Sequence, residues 1–418
     1  MKVLSTLLTV CLTLLLSACA AVPFDYPKTA SSAIAPSGNT HWGAIDKEWE
    51  QQHGHLSGFV SLDNGIDALG VRIKLMERAE ATIDAQYFIV KRDRAGGLFA
   101  GELLRAADRG VRVRLLVDDI FSPGIDEPFT LLSSHPNVEV RLFNPIARSG
   151  PRYWNYVTDF RRANRRMHNK SFIVDNALAV IGGRNIGEEY FELQQDVKFD
   201  DFEMLAIGPV VDQASEAFDQ YWNSELSVPM EAFGRKVDSG RLDDWRAWMD
   251  DKIGSDDSIY WQALETEFLG DLRSGARKAK VARAQVVVDP PQKLQSDVGE
   301  RELATLAVEL GRRMRAAERE IILVTPYFIP QEGGVALAEE IVANGVRLVI
   351  ITNSLASTNH VPVYSGYRRY RKRLLEAGIE FYEIRPDEVG GETGWGHTPE
   401  HKTLHSKFTI IDNGTVFV

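Results

Sequence analysis

Two stretches decide how this chain is read: His168-Asn169-Lys170-Ser171-Phe172-Ile173-Val174-Asp175 and His405-Ser406-Lys407-Phe408-Thr409-Ile410-Ile411-Asp412. Each is a His-x-Lys pair followed by four residues and an Asp. The run after each Lys is apolar and β-branched, which predicts a strand. Successive side chains on a strand alternate faces, so His and Lys at i and i+2 point the same way. Asp175-Asn176 and Asp412-Asn413-Gly414 read as turns between two strands, with return strands over 177–181 and 415–418.

The surroundings of the two stretches repeat as well. Ile83-Asp84-Ala85-Gln86-Tyr87-Phe88-Ile89 and Ile321-Ile322-Leu323-Val324-Thr325-Pro326-Tyr327-Phe328-Ile329 are β-rich runs, each preceded by a helical pattern, over 68–79 and 302–317. Each is followed by a helix and a second strand, over 96–109 and 110–117 in one case and 333–343 and 345–351 in the other. Gly110 and Gly345 stand where a helix ends and a strand begins, which suits a C-cap. Strand, helix, strand at this spacing is a parallel βαβ crossover. Tyr87 precedes His168 by 81 residues and Tyr327 precedes His405 by 78, so the motif recurs at the same place in each unit. The expected fold class is therefore α/β, with two similar lobes related by pseudo-twofold symmetry, each a mixed sheet flanked by helices. Lobe one is expected over 45–225, a helical connector over 226–282, and lobe two over 283–418, opening on a strand at Ala284–Val288. Val418 comes six residues after Asp412. Lobe one runs on well past its Asp, so lobe two is expected to be incomplete, short of about 50 to 100 residues.

Residues 1–18 read as a signal sequence: Lys2, a short apolar run, then Leu16-Ser17-Ala18 ahead of Cys19. The run is too short for an ordinary spanning helix. Its ending resembles a bacterial lipoprotein signal, which makes Cys19 a candidate lipidation site. Ala, Ser, Pro and Thr dominate the following segment, read as a flexible tether over 19–44. The only other cysteine, Cys11, lies inside the signal, so the mature chain has no thiol chemistry and no disulfide. A net charge of -11 over 418 residues argues against a surface built to coat nucleic acid.

The paired motif resembles that of the phospholipase D superfamily. Gly182-Gly183-Arg184-Asn185 is a further feature of that family, in which the Asn helps bind phosphate. Asn164 to Lys170, Gly183 to Phe191 and Gly366 to Arg373 resemble the cardiolipin synthases of the C type. The resemblance implies a catalytic set of His168, Lys170, Asp175, His405, Lys407 and Asp412, with Gly183 and Asn185 at the substrate. It implies attack on phosphorus by one neutral imidazole (His168 by analogy), forming a phosphohistidine, while protonated His405 supplies the leaving alkoxide. The lysines neutralise the phosphoryl oxygens and the two Asp orient or stabilise the imidazoles. No cofactor or metal is expected. The substrates implied are phospholipids, phosphatidylglycerol with phosphatidylethanolamine, handled at the membrane surface of the bacterial envelope on its periplasmic or exterior side. Transfer to a lipid hydroxyl gives cardiolipin; the alternatives are hydrolysis to phosphatidate and, against the acidity and export, cleavage of nucleic acid.

Three other features bear on the site. The cluster Arg161, Arg162, Arg165 and Arg166, and the second cluster over 368–373, lie close before each catalytic His. Arg165 and Arg166 are read as attracting anionic headgroups. His397, His401 and His405 have metal-like spacing, but Gly394, Gly396 and Pro399 oppose a helix there, so the segment is read as a loop. Asp118-Asp119 is read as a solvated loop or cap rather than a cation site.

Overall fold

The computed structural model describes residues 22–122, 124–148, 155–194, 197–234, 236–255, 258–294, 305–385 and 401–418. Cys19, the signal sequence and His397 lie outside the described residues.

Lobe one is built on a nine-stranded sheet in the order β10-β1-β8-β6-β5-β2-β3-β4-β9. Its strands are β1 Ser57–Leu62, β2 Thr82–Tyr87, β3 Arg112–Asp118, β4 Val138–Phe143, β5 Ser171–Val174, β6 Leu178–Gly182, β8 Glu203–Ile207, β9 Ser227–Pro229 and β10 Lys280–Ala282. β2, β3 and β4 run parallel, and β5 lies antiparallel against β2 with Ser171 opposite Gln86. Lobe two repeats the centre of this sheet in the order β13-β12-β11-β15-β16. There β11 Glu320–Val324, β12 Arg347–Asn353, β13 Glu380–Ile384, β15 Phe408–Ile411 and β16 Thr415–Phe417 correspond to β2, β3, β4, β5 and β6. Gly110 and Gly345 take φ of 97° and 82° at matching helix ends, where a side chain would be strained. The two-lobed mixed architecture expected from the repeat is the one found.

Alternation on β5 shows how the sheet is filled on both sides. Phe172 and Val174 join a core with Leu69, Phe99 and Leu103, from the helices Gly65–Glu77 and Arg94–Asp108. Ile173 faces the other way, into a cluster with Phe218 and Trp222 of the helix Val210–Trp222. Lobe two has its own core around Ile321, Val335, Leu348, Ile350 and Leu374. Residues 226–282, expected as a helical connector, carry the helices Arg241–Gly254, Ile259–Leu264 and Glu267–Ser274, but their two ends are β9 and β10 at the edges of the lobe-one sheet.

Three expectations are overturned. Residues 22–36 are not a free tether. Their carbonyls satisfy arginines of the sheet, two of them buried: Arg141 Nη2 donates to Thr29 O at 2.7 Å, Arg114 Nη1 to Ser31 O at 2.9 Å and the partly exposed Arg112 Nη1 to Ser32 O at 3.0 Å. Lys28 Nζ donates to the carbonyls of Ser224 and Ser227, and the Arg162 guanidinium lies 5.5 Å over the Phe24 ring. This strap runs from the carboxyl ends of the parallel strands at Phe24 to the first residue of β3 at Ser32. Residues Thr40 and beyond are also ordered, as the N-cap and helix His41–His53. Second, Ala284–Val288 forms no strand. Ala284, Val286 and Val288 pack on the Phe218–Trp222 cluster of lobe one, and the Val286 N–H donates to Gln213 Oε1 at 2.9 Å. Third, part of the segment read as a loop is a strand, β14 His401–Leu404, parallel to β7 Val197–Asp200. That two-stranded sheet joins the lobes.

Candidate active site

Both His-x-Lys pairs sit at the carboxyl ends of the parallel strands, because β5 and β15 run antiparallel to β2 and β11 and start at that edge. Each lysine folds back on its own histidine. Lys170 Nζ lies 2.7 Å from His168 O and 3.3 Å from its Nδ1. Lys407 Nζ lies 2.8 Å from His405 O, 3.3 Å from its Nδ1 and 3.2 Å from its Nε2. The Phe88 ring is 4.8 Å from the His168 ring and 5.5 Å from Lys170 Nζ. His405 is packed among Tyr190 at 5.5 Å and Phe199 at 5.2 Å, both from lobe one.

The lobes meet through His405. Its N–H and that of Ser406 both donate to Asp200 O, at 2.7 and 2.8 Å. The next residue supplies a carboxylate: Asp201 Oδ2 is 2.5 Å from His405 Nδ1. Asp201 is 1% exposed and His405 6%. A charged pair this dry is strong only when both groups are satisfied. Burial alone would raise the Asp201 carboxyl, but the His405 bond, with Lys407 and Arg184 nearby, holds it below its ordinary value.

Asp201 was invisible to the motif reading, which assigned the imidazole partners to Asp175 and Asp412. Those carboxylates are spent elsewhere. Asp175 accepts the N–H groups of Glu80, Ala81 and Thr82 at 2.8 to 3.2 Å. Asp412 does the same for Glu318, Arg319 and Glu320 at 2.8 to 2.9 Å. Both occupy the left-handed region in two-residue turns, Asp175 and Asn176 at φ 51° and 50°, Asp412 and Asn413 at 53° and 56°. They fasten the start of β2 and β11 to the end of β5 and β15, at the edge of the sheet away from the histidines.

Gly183 serves the site for a different reason from close backbone approach to a ligand. A Cβ there would stand 2.0 Å from Asp201 Oδ1. Gly183→Ala is expected to push Asp201 off His405 and cut turnover by about 10²-fold, the scale of an ångström-level misplacement. Steady-state kinetics beside a thermal melt checks this; full activity in the variant would show that Asp201 has room to spare. Asn185 is 1% exposed, with its Oδ1 taken by the Ile89 N–H at 3.0 Å. Tyr190 is its side-chain neighbour. Asn185 thus ties the loop after β2 to the loop after β6.

The arginine expectation needs correction. The Arg166 side chain is 9% exposed and lies 3.2 Å from Asp118 Oδ2, with a further bond to Asn144 O. It is an internal group, not a headgroup attractor. Arg165 is half-buried, and its carbonyl accepts from Asn144 Nδ2 at 2.6 Å. In the second cluster Arg371 and Arg373 are paired with Glu383 and Glu339, while Arg368 and Arg369 are exposed. Asp118 and Asp119 are fully buried, against the solvated half of the loop-or-cap reading, and both accept backbone N–H groups.

The two histidines and two lysines share one electrostatic environment. Crowding by the cleft walls strips most of the hydration from His168, although it keeps an exposed edge, and Lys170, Lys407 and His405 add their charges. All these effects depress its pKa and keep the ring neutral. Burial, then Lys407, pulls Lys170 well down. Burial brings Lys407 down to about 8, with Asp201 opposing. Burial also lowers His405, and here Asp201 works the other way and favours the protonated ring. Cations held together in a dry cleft at this cost form a site that an anion would relieve. Among the described residues no group of three or more His, Cys, Asp or Glu is placed to hold a metal ion.

A family model described as cardiolipin synthase, phospholipase D-like domain, matches residues 73–222 and 310–418, the two stretches that carry the histidines. The chain belongs to this family. Cardiolipin synthase C of Escherichia coli (strain K12) is 38% identical across 88% of this chain and 78% of its own length. Cardiolipin synthase A of Pseudomonas syringae pv. syringae (strain B728a) is 24% identical across 84% of this chain and 59% of its own length. Among solved structures, the phosphatidylserine synthase of Haemophilus influenzae Rd KW20 superposes with a TM-score of 0.56 at 13% identity, over 88% of this chain and 81% of that one. That likeness concerns the fold. No helix among the described residues is long and apolar enough to cross a membrane.

Proposed function

We propose that this member of the cardiolipin synthase family is a phosphatidyltransferase that makes cardiolipin from phosphatidylglycerol and a second phospholipid through a phosphohistidine intermediate. The observation that carries the reading is the difference between the two histidines. His168 is held neutral by lost hydration and three cationic neighbours, which suits a nucleophile. His405 has a buried carboxylate on Nδ1, which suits a ring that must carry and release a proton.

In the first step the free electron pair of His168 forms a bond to phosphorus. The P–O bond to the leaving alcohol breaks, and that oxygen takes the proton of His405. Lys170 and Lys407 bear the charge on the non-bridging oxygens. In the second step neutral His405 accepts the proton of an incoming hydroxyl, whose oxygen displaces His168. A glycerol hydroxyl of phosphatidylglycerol yields cardiolipin; water yields phosphatidate. Asp201, Glu203 and Asp118 oppose the burial and the Lys407 charge that pull Lys170 down.

Placement at a bilayer is part of the proposal. The strap brings Phe24 beside Arg162, and Cys19 precedes it by five residues, so a lipid on Cys19 would tether the chain to a bilayer by a short lead. The test is incubation of the full chain with vesicles of phosphatidylglycerol, alone and mixed with phosphatidylethanolamine, followed by separation of the lipid products. Cardiolipin that disappears in His168→Ala and His405→Ala supports the reading. Phosphatidate without cardiolipin would assign hydrolysis instead, and inert phospholipid with cleaved DNA would overturn the substrate class.

A further inference from the structure

We propose that Asp118 and Asn353 are a matched pair of positioning residues, each setting one catalytic histidine through the peptide N–H immediately before it. The inference rests on the two-histidine chemistry above, though not on which lipid is used.

The repeat aligns the two positions. Asp118 is the last residue of β3 and Asn353 the last of β12, the corresponding strand. Asp118 Oδ2 accepts the Met167 N–H at 3.0 Å, and Met167 precedes His168. Asn353 Oδ1 accepts the Leu404 N–H at 3.0 Å, and Leu404 precedes His405. Both side chains are buried, at 0% and 2% exposure. Met167 lies outside every strand, while at Leu404 the pairing of β14 with β7 and the Asp200 carbonyl hold one side of the His405 backbone. In both lobes the sheet does not supply the acceptor for the N–H before the histidine. A buried side chain with good geometry does.

The two clamps differ in what they bond. Asp118 accepts with both oxygens: Oδ1 takes the Ile120 N–H at 3.0 Å, and Arg166 Nε approaches Oδ2 at 3.2 Å. Asn353 accepts and donates: its Nδ2 gives bonds to Leu404 O at 2.8 Å and Pro326 O at 3.3 Å, while Ser357 Oγ donates to its Oδ1 at 3.1 Å. Asn353 therefore grips both the N–H and the C=O of the residue before His405, and ties in the loop after β11. A carboxylate at 353 would face two carbonyl oxygens in a dry site, whereas an amide at 118 still offers an oxygen to Met167. The exchange Asn353→Asp is thus expected to hurt more than Asp118→Asn.

The experiment uses the full chain labelled with 13C at histidine Cε1, with the His168 and His405 signals assigned by their Ala variants. Asp118→Ala is expected to shift the His168 signal and its titration more than those of His405, and Asn353→Ala the reverse. With phosphatidylglycerol vesicles, each Ala variant should lose about 10²-fold in kcat at little changed KM. Asp118→Asn should lose about tenfold or less and Asn353→Asp about 10²-fold or more, on the same misplacement scale. A clamp with a merely structural role would lower the melting temperature but leave the kcat of the folded fraction and the ring titrations in place. That result, or a shift in the other lobe's ring as large as in its own, would overturn the proposal. If an Ala variant does not fold, the Asn and Asp exchanges decide by their order. If wild type turns over no phospholipid, the functional reading fails, and the lobe-selective signals still decide for or against the clamps.

Discussion

Asp201→Asn is expected to lower turnover by about 10² to 10⁴-fold, the range seen when the carboxylate behind a catalytic histidine becomes an amide. The side chain keeps its size, and Arg184 still donates to the backbone carbonyl at 201, so the loop should stay in place. What is lost is the charge 2.5 Å from His405 Nδ1. The sign of the pH effect follows. Asp201 favours protonated His405 against burial, so its removal lets His405 lose its proton at a lower pH. The alkaline limb of the kcat/KM profile should therefore move down in pH. Full profiles for wild type and variant, with melting temperatures alongside, make the check. A variant with normal turnover and an unmoved alkaline limb would show that His405 does not depend on this carboxylate.

The second large effect concerns stability. Arg72 and Glu203 are each 1% exposed and face each other twice, Nη2 to Oε1 at 2.5 Å and Nη1 to Oε2 at 2.9 Å. Arg72 Nε also donates to the Tyr87 hydroxyl at 3.1 Å. Arg72→Met leaves the Glu203 carboxylate nearly dry and without its bidentate partner, with Arg184 at 3.6 Å and Lys170 farther off as remaining cationic neighbours. Breaking one side of such a pair costs about 3 to 5 kcal/mol, and Arg184 places this case at the lower end. Denaturant unfolding of lobe one, followed by tryptophan fluorescence, reads it. A loss below about 1 kcal/mol, the scale of a surface pair, would mean that the Glu203 charge finds water or Arg184 after all. Replacing Arg72 with Met and Glu203 with Leu together should recover much of the loss, since the desolvation of both ions is then removed.

What the sequence made legible is what local chemistry encodes. Strand alternation put His168 with Lys170, and His405 with Lys407, on common faces. The Asp-Asn pairs announced turns that need positive φ, and the repeated helix-glycine-strand units announced a parallel centre in each lobe. The partner of His405 was not legible, because Asp201 reaches it across the lobe boundary and no spacing within either motif points to it. The only trace was Gly183, whose missing side chain makes room for that carboxylate. Composition misled at two places. An Ala-, Ser-, Pro- and Thr-rich segment looks like a tether until its carbonyls are seen to cap Arg112, Arg114 and Arg141. Arg166 looks like a surface cation until Asp118 is found beneath it. In each case the deciding partner comes from a distant part of the chain.

The central claim is that two unlike histidines divide the work, and the phosphorylated residue tests it directly. Full-length enzyme is mixed with vesicles of phosphatidylglycerol, quenched in alkali to preserve a phosphohistidine, digested and analysed by mass spectrometry. The account predicts a phosphatidyl adduct on the peptide carrying His168, absent from His168→Ala and from His405→Ala, whose leaving group lacks its proton donor. An adduct on the His405 peptide, or product formation with neither histidine modified, would contradict it.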